Sequence, residues 1–245
     1  MAANLIDAPG TDEAAWRAWP DLARLRAVDV SRWPSVVILA AHPDDEVLGA
    51  GGIMAVLAAA GARLRVVAVT DGQASHPGCG DRAGLARRRA REREAAMAAL
   101  GAKDTEVIRL GFPDAGLDRR QADLTAAVRD AVTGFSVCLA PWEGDVHADH
   151  EAVGRAAAEA RGDAFWYPIW AWHWARRGDL RVPWGDAVRA ALPAEAAARK
   201  RTAIGCFASQ LEARPRGAAP VLAAGFVAHF TRDFEVLFPA GTLRS

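Results

Sequence analysis

Short apolar runs recur along this chain, and each ends in a cluster of small, polar or acidic residues. Val36–Ala40, Leu64–Val69, Glu106–Leu110 and Ser136–Ala140 read as buried strands, being short, aliphatic and bounded by turn-forming residues. Between them lie longer stretches with helical character: Val47–Ala60, Gly84–Leu100 stopped by Gly101, Gln121–Val132 and Glu151–Arg161. Ala164–Trp172 is expected as a fifth strand. Ahead of this region Thr11, Asp12 and Glu13 open a helix expected to run to about Arg26, since a first turn favours acids. Strands that alternate with helices imply right-handed crossovers and a parallel sheet covered on both faces. The pattern therefore predicts the α/β class: a Rossmann-like parallel sheet sandwiched by helices. One domain is expected over 1–245, with 1–33 as an N-terminal helical extension. The last third, interrupted by Pro168, Pro183, Pro193, Pro215 and Pro220, is expected to complete that domain.

Ligands of such sheets bind beyond the carboxyl ends of the strands. The clusters "HPDDE", "TDG", "FPDAG" and "EGDVHADH" each follow a predicted strand, so a metal site is expected at those ends. His42 and Asp45 lie three apart, on one side of the first turn if a helix starts here, and Pro43 suits that turn. His147 and His150 leave the fourth strand in the same way. Two imidazoles and a carboxylate from the two loops make an ordinary divalent-metal set that leaves a position open for water. A metal lowers the pKa of that water to about 7. Whichever of Asp44 and Asp45 does not bind metal is then the candidate base. The second histidine of the His147/His150 pair is left to face an oxyanion or a leaving amine as an imidazolium, with Asp149 to orient it. Glu46 is assigned to the helix dipole alone. Gly49, Gly51 and Gly52 lack dinucleotide spacing and are read as allowing close helix packing on the sheet.

Composition removes other classes. Thirty basic residues balance thirty acidic ones, so no net field draws the chain to nucleic acid. The three cysteines are too few and too scattered for a disulfide framework or a thiolate metal site, which fits a reducing compartment. No apolar run is long enough to span a membrane and the N-terminus does not read as a signal peptide, so a cytoplasmic protein is expected.

At these residues the chain resembles a known family. "AAHPDDEVLGAGG" with "HADH" is similar to the LmbE-like, or PIG-L, deacetylases, which include zinc-dependent enzymes acting on N-acetylglucosamine in larger conjugates. The likeness extends through "TDGQASHP", the Arg-rich helix ending in "AALGA", "GFPDAGL" and "KRTAIGCFASQ", from Val36 to Gln210. The resemblance implies His42, Asp45 and His150 as metal ligands and Asp44 as general base. It further implies His147 as general acid or oxyanion stabiliser with Asp149 behind it, and Asp114 as a ligand of a sugar hydroxyl. It implies Zn²⁺, with Fe²⁺, Co²⁺ or Mn²⁺ as alternatives, and hydrolytic removal of acetyl from an N-acetylated sugar conjugate. The chain departs from some members at Asp145, where they carry a tyrosine. A metal-dependent hydratase or other hydrolase on the same scaffold, and an inert metal-stabilised binding protein, are the competing readings.

Weaker signals fill in the surroundings. Trp142 precedes His147 in its loop and is a candidate substrate contact. Arg87, Arg88, Arg89, Arg91 and Arg93 alternate with Glu92 and Glu94, which reads as a solvated face with local ion pairs. Arg82 or Arg88 is the expected contact to an anionic part of the substrate. Trp166, Trp170, Trp172 and Trp174 fall on one face if extended, and read as core or as a homo-oligomer interface.

Overall fold

The four apolar runs that end in polar clusters form adjacent strands at one end of a single sheet in the computed structural model, which describes residues 5–240 apart from 7, 215 and 216. The strands are β1 (Arg26–Ala27), β2 (Ser35–Ala40), β3 (Arg63–Thr70), β4 (Glu106–Phe112), β5 (Val137–Pro141), β6 (Phe165–Tyr167), β7 (Val188–Ala191) and β8 (Phe234–Pro239). The helices are α1 (Glu13–Arg17), α2 (Pro20–Arg24), α3 (Asp45–Ala59), α4 (Arg82–Leu100), α5 (Gln121–Val132), α6 (Ala148–Ala160), α7 (Ala171–Trp174), α8 (Ala194–Ile204), α9 (Ala208–Leu211) and α10 (Ala224–Ala228).

The strand order is β1-β7-β8-β6-β5-β2-β3-β4. Neighbours run parallel except at β8, which is antiparallel to both β6 and β7, so the sheet is mixed rather than wholly parallel as expected. β7 and β8 lie in the proline-interrupted third, where β7 is too short to show a period. From β2 the chain builds outward through β3 and β4, then returns to lay β5 on the other side of β2. That reversal opens a crevice between the loops following β2 and β5, where a sheet of this kind takes its ligand.

α3 follows β2 directly and is buried from Asp45 through Ala55. Its glycines permit that depth: a Cβ on Gly49 would lie 2.1 Å from the Tyr167 ring, and one on Gly52 would lie 2.3 Å from Leu192. The Tyr167 hydroxyl donates to the Leu39 carbonyl at 2.6 Å, which ties β6 to β2. Farther along α3, the Gly52 and Ile53 amides both donate to Glu235 of β8 at 2.8 Å. Lys200 of α8 completes this clasp, donating to Glu235 at 2.6 Å and to the Leu48 carbonyl at 2.7 Å.

Two expectations are corrected. The single helix from Thr11 to Arg26 is two short helices, because Pro20 has no amide hydrogen to continue α1 and instead begins α2. Trp16 and Val30 of this segment are buried in the common core, and Trp16 Nε1 donates to the Trp172 carbonyl at 2.8 Å. The fifth strand ends at Tyr167, before Pro168, and the tryptophans beyond it enter α7. Trp166, Trp172 and Trp174 are buried, so the tryptophan run is mostly core. Among the described residues no helix is long and apolar enough to cross a membrane.

Candidate active site

The loop between β2 and α3 carries His42, Pro43 and Asp44. The helix begins at Asp45, two residues before the expected Val47, and His42 lies outside it. The two still meet because the loop folds back: Asp45 Oδ2 accepts from the His42 amide at 2.8 Å and lies 3.6 Å from His42 Nδ1. Asp44 turns the chain with φ 127 and ψ −31, a conformation costly for a residue with a Cβ. Such strain aims the buried Asp44 carboxylate by means of its backbone.

From the other side of the crevice, His147 caps α6, and Asp149 and His150 occupy its first turn. Between described residues, ligand atoms of His42, His147 and His150 lie within 4.8 Å of one another, as do those of His42, Asp114 and Asp149. Asp45 sits against both expected partners, its Oδ1 3.3 Å from His150 Nε2. Asp45 thus touches both His42 and His150, and Asp114, His147 and Asp149 stand around them. His42 Nε2 is 3.3 Å from a carboxylate oxygen of each of Asp114 and Asp149.

Asp145 is a residue that motif reading passed over. It is fully buried, and its Oδ2 lies 2.7 Å from His150 Nδ1 while its two oxygens also accept the Ile169, Trp170 and Ala171 amides. A carboxylate here takes the Nδ1 proton and turns Nε2 toward the cluster. His150 Nε2 and Asp45 Oδ1 are then two acceptors facing each other at 3.3 Å, which is favourable only with a cation or a proton between them. The donor set, and a buried His147 Nδ1 with no protein partner, fit a divalent metal. Burial works against a charged His150, but the Asp45 charge and the Asp145 bond push it up to about 9. His42 is likewise raised well above its ordinary value against the effect of burial, by Asp114, Asp149 and Asp45.

Asp44 differs from its neighbours. Burial raises its carboxyl to about 7; the nearby Arg89 charge opposes the shift and Asp45 adds to it. Arg89 is buried and donates to the Pro43 carbonyl at 2.6 Å, the Gly72 carbonyl at 2.8 Å and Asp44 Oδ2 at 3.2 Å. It was expected on a solvated face; α4 instead packs Arg89, Glu92 and Arg93 inward, with Arg93 paired to buried Glu46. A hydrophobic-side pattern cannot reveal buried arginines whose partners are loop carbonyls.

Other placements need correction. Asp149 does not stand behind His147: its oxygens accept the Ala115, Gly116 and Leu117 amides and contact His42. The His147 imidazole is pushed down to about 3 by burial and by the charges of His150 and His42. Trp142 turns into the core against Trp174 and Phe238. Arg82 is exposed, and Arg88 pairs with Glu92 and Glu212; neither lines the cavity over the cluster. Asp114 does line it, along with Ser75, Arg89, Trp170, Gln210 and Arg214.

Residues 37–161, just over half of the chain, match the PIG-L family, described as GlcNAc-PI de-N-acetylase. The protein belongs to the PIG-L family. A curated relative is 1D-myo-inositol 2-acetamido-2-deoxy-alpha-D-glucopyranoside deacetylase 2 of Catenulispora acidiphila. It is 30% identical over 153 residues, which cover 51% of this chain and 50% of the relative. The match thus spans about half of the relative's length. N,N'-diacetylchitobiose deacetylase of Pyrococcus horikoshii shares the fold with a TM-score of 0.55 at 20% identity, over 71% of this chain and 70% of its own. The zinc-inhibited form of teicoplanin deacetylase does so with a TM-score of 0.62 at 16% identity, over 84% of this chain and 97% of its own. This PIG-L chain carries both family motifs on the two loops that meet across the β2/β5 crevice.

Proposed function

We propose that this protein is a divalent-metal hydrolase that removes acetyl from an N-acetylated amino sugar or its conjugate. The observation that carries the proposal is the meeting of His42, Asp45 and His150 beside a buried Asp44 whose carboxyl is raised to about 7. The activities of the PIG-L relatives support the choice of substrate class.

His42, Asp45 and His150 would hold the ion; their nitrogen and oxygen donors suit Zn²⁺ and also admit Fe²⁺, Co²⁺ or Mn²⁺. When bound, such an ion polarises the acetyl carbonyl and makes water acidic enough to ionise near neutral pH. Asp44 takes the proton of the water that attacks the carbonyl carbon, a role for which a carboxyl near the working pH is matched. Arg89 holds Asp44 and the Pro43 carbonyl in register. His147 offers a ring N–H to the carbonyl oxygen as it gains negative charge. The carbon–nitrogen bond then breaks, the proton on Asp44 passes to the nitrogen, and acetate and a free amine leave. Asp149 holds His42 and the 115–117 turn, which places Asp114 at the cavity wall for a sugar hydroxyl.

The test is a screen of metal-loaded protein against N-acetylated sugars, read by amine release. Turnover is expected, and Asp44→Asn should lower it about 10²–10⁴-fold with metal content unchanged. Absence of amine release from every N-acetyl compound, with the metal bound, would overturn the proposal.

A further inference from the structure

The cavity over the cluster has a volume of about 700 Å³, within the range of about 300–1,000 Å³ typical of small-molecule sites. Its floor is acidic and imidazole-rich, but one stretch of its wall is not. Ile169, Trp170, Val221, Leu222 and Phe226 line the cavity together and carry no charge. Trp170 and Phe226 stack with ring centroids 4.5 Å apart and planes at 28°. None of these five residues lies within the family-matched 37–161.

The stretch is firmly held. The Ile169 and Trp170 amides donate to Asp145, the carboxylate that also orients His150, so this wall is one side chain away from the metal cluster. The Leu222 amide donates to the Gln210 carbonyl. Of the polar side chains beside it, His173 Nε2 bonds the Ala8 carbonyl at 2.9 Å and Arg214 Nε the Ala219 carbonyl at 2.6 Å. An apolar wall inside a catalytic cavity is costly to leave wet, and selectivity for a ligand's apolar part is what such a wall supplies. The hydroxyl-bearing edge of a monosaccharide, turned against this wall, would be left unpaired.

We propose that Ile169, Trp170, Val221, Leu222 and Phe226 form a subsite for an apolar group, alkyl or aryl, on the amide substrate. The subsite rests on the deacetylase reading above and narrows it: the preferred substrate carries such a group either on its aglycone or in its acyl chain.

Two substrate pairs distinguish the sources. Metal-loaded protein is given the methyl and benzyl glycosides of N-acetylglucosamine, and separately N-acetyl- and N-hexanoylglucosamine. The expected result is a kcat/KM at least about tenfold higher for the apolar member of one pair, as burial of such a group predicts. A benzyl gain places the subsite on the aglycone side, and a hexanoyl gain on the acyl side. Val221→Asn, at a partly exposed position, should shrink that ratio; Phe226→Leu, which keeps the core apolar, should shrink it less. Turnover with ratios within about twofold in both pairs removes the subsite and leaves the deacetylase reading intact. Phenyl β-glucoside, which has no amide, supplies the converse control by tryptophan fluorescence. Saturable binding to wild type but not to Val221→Asn, with no amide hydrolysed, upholds the subsite and overturns the deacetylase reading. Neither binding nor preference overturns the subsite.

Discussion

Residues 37–161 and the segments flanking them contribute differently to one cavity. The matched segment supplies His42, Asp44, Asp45, Arg89, Asp114, His147, Asp149 and His150, all on loops or first turns following β2, β4 and β5, or on α4. The flanking segments supply the wall, from Ile169, Trp170, His173, Gln210, Arg214 and the 220–226 stretch. The reacting groups are thus close in sequence to the strand ends that hold them, whereas the wall is gathered from separate stretches. Under the proposed function and subsite, chemistry and selectivity fall to different parts of the chain, joined at a few buried links.

Substitutions at those links test how far the two parts of the chain depend on each other. The largest effect is expected from Glu235→Ala, which strips the buried Lys200 of its counter-charge and α3 of its clasp. The loss should be about 3–5 kcal/mol, read from the denaturant midpoint; an unmoved midpoint would mean that α3 stands without the flanking segment. Next comes Asp145→Asn, which weakens the hold on His150 and on the Ile169–Ala171 amides together. Metal affinity should fall about 10–100-fold in a chelator competition.

A smaller effect tests the N-terminal segment. Glu13 pairs with His229 and Arg232. Burial tends to raise its carboxyl, but the hydrogen bonds from His229 and Arg232 and their charges hold it at about 2, below its ordinary 4.5. A carboxyl lowered in the folded state stabilises above its unfolded pKa and loses that contribution as pH falls from 4.5 through about 2. Glu13→Gln should therefore cost about 1–2 kcal/mol at neutral pH and flatten the acid limb of the stability curve in that window. Smallest of all, Arg82→Ala and Arg88→Ala lie outside the cavity and should shift stability by less than about 0.5 kcal/mol, with KM unchanged; a marked rise in KM would extend the binding surface along α4.

The sequence alone determined the central βα alternation and the strand-end loops on which the candidate residues stand. It could do so because a side chain just beyond a parallel strand's carboxyl end is placed by its own strand, and β2 and β5 are neighbours. Only the tertiary structure decided which charged groups turn inward. Arg89 looks like its neighbours on α4 until that helix is laid on the Pro43 and Gly72 carbonyls. Asp145 reads as a missing tyrosine until three amides from 169–171 and the His150 ring converge on it. Trp142 and Asp149 were placed in the right loop but aimed wrongly, since a side chain's direction depends on what packs against it. The same holds for β8, where Glu235 meets Lys200 and the Gly52 and Ile53 amides from three separate segments. Periodicity and spacing carry local geometry; hydrogen bonds between segments a hundred residues apart exist only once the sheet has brought those segments together.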